Sequence, residues 1–177
     1  MKKKTLALVL ALTLLVAGVV GGTLAWLTDQ TAEVKNTFTV GDINIGLTET
    51  TAGYKMVPGN TIAKDPTVTV KANSEACWLF VQVTESTDLK DFITYAIAEG
   101  WTALPGVDGV YYREVPASAA DQTFSVLAGD AVTVKSDVTR TMLETAKTDA
   151  PTLTFKAYAI QKDHFATADA AWVEVSK

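Results

Sequence analysis

Apolar residues are laid out along this chain in two different ways. From Thr5 to about Leu27 they run without a charge, preceded by Lys2, Lys3 and Lys4. Beyond that run they fall mainly at every second position, the period of a strand with one buried face. Phe38 and Val40 alternate with Thr37 and Thr39, and after Gly41-Asp42 the phase slips by one, so that Ile43, Ile45 and Leu47 continue the alternation. A slip of one residue at a glycine is what a β-bulge leaves in a sequence. One long bent strand, or two collinear ones, is therefore predicted over residues 36–48. Further strands are predicted at 67–71, 77–84, 92–98, 109–115, 123–127, 131–135 and 152–161.

The strand at 77–84 departs from simple alternation. Cys77, Leu79, Val81 and Val83 share one face, while Trp78 and Phe80 occupy the other, so neither face is wet at its start. A loop or a partner chain is needed to cover Trp78 and Phe80. Between strands, Val57-Pro58-Gly59-Asn60 has the residues of a tight turn. Trp101 with residues 104–109, between the strands at 92–98 and 109–115, and Ala128-Gly129-Asp130 read as hairpin connections. Ser136 and Asp137 are N-cap residues for a brief helix through Met142 and Ala146, stopped by Pro151. Residues 168–173 fit either one helical turn or a last strand. Roughly eight short strands with so few helical stretches define an all-β chain, a single β-sandwich with one or two short helices. No internal repeat or low-complexity linker interrupts it, so residues 26–177 are expected to form one domain.

The apolar leader changes where that domain is expected to reside. A basic start, an apolar stretch and small residues at Thr23 and Ala25 make residues 1–25 a signal peptide, with Trp26 as the first residue after cleavage. The run is also long enough to be retained as a membrane anchor. Either way the domain is secreted or displayed at a cell surface. The chain has 15 basic and 20 acidic residues; cleavage would remove three lysines and leave a net charge of about −8. Such a charge argues against nucleic acid and anionic membrane surfaces as partners. Cys77 is the only cysteine, so no internal disulfide forms and stability must come from an apolar core. Cys77 itself is expected to be a buried, small apolar residue.

Chemistry is sparse. His164 is the only histidine, and it is expected in a surface loop with no partner for nucleophilic catalysis. There is no H-E-x-x-H, cysteine pair or glycine-rich phosphate loop. Asp88 and Asp91 fit a turn with solvated charges better than a calcium site. Residues 104–108, LPGVD, begin like a sortase signal but lack its threonine and glycine. No catalytic residue, metal or cofactor is expected.

Several blocks together resemble the TasA/camelysin family of secreted bacterial proteins, which a SipW-type signal peptidase processes. The N-terminal join carries most of the likeness: Gly21-Gly22-Thr23-Leu24-Ala25-Trp26-Leu27-Thr28-Asp29, then Asn36-Thr37-Phe38-Thr39-Val40-Gly41-Asp42-Ile43-Asn44-Ile45. Val57-Pro58-Gly59-Asn60 through Lys64-Asp65-Pro66 is similar to the family's Pro-Gly turn, and residues 153–161 to its C-terminal strand. The resemblance implies a jelly-roll-like sandwich, export from a Gram-positive-type cell, and assembly into surface or biofilm-matrix fibres, with other matrix proteins as further partners. Some members are metalloendopeptidases, but no ligand set is present here to carry that activity over. The alternative is a monomeric, membrane-anchored surface protein such as an adhesin, or a camelysin-like peptidase. For assembly, Trp26 and Leu27 would lie at a new chain end, with Phe38 and Val40 on a strand free to join its own sheet or a neighbour's. The Trp78/Phe80 face is the candidate acceptor.

Overall fold

The computed structural model of the protein describes residues 42–50 and 55–177, within one compact unit, Val40–Lys177. The leader, the cleavage residues Thr23, Ala25 and Trp26, Leu27, and the expected Phe38/Val40 strand with its bulge at Gly41 lie outside the described residues. Among those residues there are ten strands and three short α-helices. The strands are β1 (Ile45–Thr48), β2 (Thr61–Ala63), β3 (Thr67–Val70), β4 (Cys77–Glu85), β5 (Ile93–Thr94), β6 (Thr102–Ala103), β7 (Val110–Val115), β8 (Gln122–Ser125), β9 (Ala131–Val134) and β10 (Leu153–Gln161). The helices are α1 (Leu89–Phe92), α2 (Arg140–Ala146) and α3 (Ala168–Val175). The strands form three antiparallel sheets, ordered β1-β3-β8, β10-β4-β7-β6 and β2-β9-β5. The fold is all-β and sandwich-like, as the alternation predicts.

β4 is the centre of the arrangement. It pairs with β10 along its whole length and with β7 over six residues. Its odd-numbered side chains, Cys77, Leu79, Val81 and Val83, meet Val68 and Val70 of β3 and Val115 of β7 in the core between the first two sheets. β-branched side chains suit this position because they pack tightly on a pleated surface. A second core, with Leu89, Phe92, Val132 and Val134, lies under the β2-β9-β5 sheet and is closed by Val138 and Ala146.

The even-numbered side chains of β4 make a third core. Trp78 is 5% exposed and Phe80 0%, packed with Leu104, Val110 and the inner face of α3: Ala168, Ala171 and Trp172. The rings of Phe80 and Trp172 lie 5.4 Å apart, and Tyr158 meets Trp172 edge-on at 5.1 Å. Trp78 donates its indole N–H to the Phe165 carbonyl at 3.0 Å. A helix of eight residues is too short to persist alone. It is held by this apolar face and by Thr167, whose hydroxyl caps the Ala170 N–H at 3.3 Å.

Several expectations are corrected. Residues 168–175 are a helix, resolving the open choice between helix and strand. β8 and β9 do not form a hairpin across residues 128–130, because β8 joins β3 while β9 joins β2 and β5. The stretch 92–98 is not one strand: it begins in α1, continues as the two-residue β5 and keeps one bridge, Ile97 to Leu127. It forms no hairpin with β7, since β5 pairs with β9 and residues 104–109 join β7 to β6. The cap of α2 is Thr139, accepting from Met142 N–H at 3.3 Å, not Ser136 or Asp137. The turn at 57–60 forms as expected, with Gly59 at φ 78° and Asn60 N–H donating to the Val57 carbonyl at 3.0 Å.

Cys77 is fully buried in the core between the first two sheets, and burial pushes its thiol up to about 11. Thiolate, the reactive form, is then about 0.1% of the total at pH 8. Labelling by a thiol reagent at pH 8 should therefore be slow in the folded protein and fast once denaturant unfolds it. Rapid labelling without denaturant would contradict the packing described here.

Candidate assembly edge

The backbone ladder shows where this sandwich is closed and where it is open. Lys162 N–H donates to Ala76 and Ser86 N–H to Thr152, each at 2.9 Å, at the two ends of the β4–β10 pair. With the alternating pattern of an antiparallel ladder, even-numbered residues of β10 then turn their N–H and C=O toward β4. Leu153, Phe155, Ala157, Ala159 and Gln161 turn theirs away. Among the described residues no strand pairs with that side of β10. On the neighbouring sheet, Lys71 N–H donates to Asn44 at 2.8 Å, which by the same alternation points the backbone groups of Ile45 and Leu47 away from β3. That side of β1 also has no strand partner among the described residues.

The two edges run beside each other, with Cα atoms within 8 Å, yet no ladder joins them. A cleft of about 310 Å³ lies between, lined by residues that include Leu47, Glu49, Pro66, Leu153 and Phe155. At one end Lys64 is largely buried, with its ammonium 2.7 Å from Glu49 and 5.4 Å from the centre of the Phe155 ring. A strand placed between two others needs about 9.5 Å, twice the strand spacing. The seam is too narrow for one as it stands, so an incoming strand must widen it or displace β1.

The other edges are blunted. Ser125 of β8 accepts the Trp101 indole N–H at 2.9 Å, and the chain at 96–98 covers the continuation of β8 through Ala98 N–H to Val126 and Ala128 N–H to Ala96, both 2.9 Å. β6, β2 and β5 are two or three residues long, a common protection against unwanted pairing. The nine-residue edge of β10 is thus the outlier.

The expected acceptor face is corrected here. Trp78 and Phe80 are covered by the chain's own α3, so that face is not open to a partner. The signal for this was present: Ala168, Ala171, Trp172 and Val175 recur at helical spacing. Sequence reasoning missed the β10 edge because alternation shows which way side chains point, not which backbone groups lack a neighbour.

His164 is exposed at the end of a 3-10 turn, Lys162–His164. Ser86 donates its hydroxyl to Asp88 at 2.9 Å, a local contact at the start of α1. Among the described residues no group of three or more His, Cys, Asp or Glu side chains is placed to hold a metal ion. None of the described helices is long and apolar enough to cross a membrane.

The fold defines a class, the antiparallel β-sandwich, here with one long edge strand, β10, that has no strand partner on its outer side among the described residues. Comparison with known proteins goes no further: no family model matches the chain, and neither curated proteins nor solved structures give a significant match.

Proposed function

We propose that the protein is a secreted structural subunit whose copies join by strand addition at the β1–β10 seam, forming an extracellular fibre or surface layer. The observation that carries this reading is the nine-residue β10 edge, unpaired among the described residues while the other edges are short or capped. The strand supplied would be residues 36–40 of a neighbouring copy, whose Phe38 and Val40 alternate with threonines. Backbone hydrogen bonds give such an addition its affinity, and alternate side chains enter pockets below the edge. Used head-to-tail, the contact does not close on itself and so propagates a filament. The likeness of the N-terminal join to the TasA/camelysin family, and the processing by a SipW-type peptidase that it implies, agree with this reading, as does the paucity of catalytic groups.

Purified secreted protein, expected to have the intact mass of residues 26–177, should form filaments in electron micrographs. Deleting residues 26–35, or blocking the new N-terminus with a bulky fusion, should leave soluble monomers that still unfold cooperatively. Filaments that persist unchanged after the deletion would exclude this segment as the link.

A further inference from the structure

On the side of the sandwich away from the β1–β10 seam, Arg113 of β7 sits in an unusual setting. It pairs with Leu79 in the ladder and so points to the core side of its sheet. There its guanidinium carbon lies 3.9 Å from the centre of the Phe124 ring and 5.3 Å from that of Trp101. Trp101 is itself held by its bond to Ser125. Two rings, one from each side of the sandwich, therefore lie within cation–π reach of the guanidinium.

Among the described residues no ion pair is formed by Arg113, and its buried Nε has no hydrogen-bond partner. The chain carries 20 acidic residues against 15 basic ones, so a partner was not lacking for want of carboxylates. Desolvating a guanidinium donor without a partner is costly. Stacking on aromatic rings recovers part of that cost, but leaves the hydrogen-bonding fork unused. Gly100, at φ 84°, lies against the same group, and a Cβ there would come within 2.9 Å of one Nη. A glycine at this position is what leaves room for the guanidinium.

We propose that Arg113, clamped between Trp101 and Phe124, is a seat for a single carboxylate group. A planar fork held beside two rings matches a carboxylate through two parallel N–H to O bonds. A carboxylate suits it better than a phosphate because one positive charge is present. The lysines that lie over aromatic rings, Lys64, Lys156 and Lys162, stack on Phe155, Tyr158 and Trp78 instead. This assignment is independent of the fibre reading. The carboxylate can come from an acidic sugar or from an acidic amino acid.

Nitrogen-15 spectra of the full chain test the seat directly, through the Arg113 Nε–H and Trp101 indole N–H signals. Galacturonate, N-acetylaspartate amide and inorganic phosphate are the three probes. A saturable shift of both signals with a carboxylate is expected, at least about fivefold tighter than with phosphate. Response to galacturonate alone identifies an acidic sugar as the source, and response to the aspartate derivative alone an acidic peptide. Response to both shows that the carboxylate alone is read. Arg113→Lys keeps the charge but not the fork and should weaken binding about tenfold or more. No saturable shift with either carboxylate, or phosphate binding as tightly, overturns the proposal, and the wild-type titration decides this even if the variant misfolds.

Discussion

Replacing Phe80 with alanine should lower the thermal midpoint by roughly 10–20 °C. Phe80 is fully buried and contacts Trp172 and Tyr112, with ring centres 5.4 Å and 6.3 Å away. Truncating a buried phenylalanine removes its transfer free energy and leaves a cavity, a loss of about 3–5 kcal/mol. That is a large part of the stability of an ordinary domain, about 5–15 kcal/mol. The effect should be severe here because Phe80 holds α3 as well as β4, and a helix this short cannot remain docked without its apolar seat. Val173 on the same helix is 63% exposed, and Val173→Ala should change stability by no more than about 0.5 kcal/mol. Thermal melts followed by circular dichroism compare the two. Similar midpoints for both variants would mean that α3 does not seal the Trp78/Phe80 face.

The second large effect is expected at a glycine. Gly109 ends the connection between β6 and β7 at φ 72°, and its carbonyl accepts the Val83 N–H at 2.7 Å. A Cβ at this position would stand 2.4 Å from the Val83 carbonyl oxygen, a backbone atom of β4 that cannot swing aside. Gly59 has a similar φ of 78° but nothing within 4 Å of where its Cβ would be. Gly59→Ala therefore carries only the cost of left-handed backbone, about 1–2 kcal/mol. Gly109→Ala adds a backbone collision and should cost roughly 3 kcal/mol or more. Denaturant titration measures both. Equal losses would show that the close approach of the turn to β4 is not maintained in solution.

These positions also show what a sequence makes legible. β4 and β10 follow from alternation, and the two-sided apolar character of β4 demanded the cover that α3 supplies. The β8–β9 connection was misleading because Ala128-Gly129-Asp130 is good turn chemistry, and both Gly129 and Asp130 do adopt positive φ. A turn in a hairpin and a turn carrying the chain between sheets use the same residues. The distinguishing mark lies just before it: Val126 and Leu127 are consecutive and both fully buried, one in the core between the first two sheets and the other under the third. Consecutive burial of that kind belongs to a chain crossing from one core to the next. Leu89, Phe92 and Ile93 likewise recur at i, i+3 and i+4, a helical signal that the β-rich stretch after it obscured. The open side of β10 was the least legible element. Whether the backbone of β10 has a neighbour depends on the order of strands in space, and the side chains of Leu153, Phe155, Ala157 and Ala159 would alternate in the same way beside a partner or without one.

The position of β4 in the chain has a consequence for timing. Its side chains need cover on both faces, but the partner strand β10 and the helix α3 come much later in the chain; the bond from Trp78 to Phe165 alone spans 87 positions. Contacts so distant form slowly, because the intervening chain must be gathered before they contribute. A chain being synthesised, or threaded through a membrane from its N-terminus, presents Trp78, Leu79, Phe80 and Val81 to solvent until residues 153–175 have emerged. Folding is therefore tied to the arrival of that later stretch, and until then β4 exposes apolar side chains on both faces, a state open to aggregation.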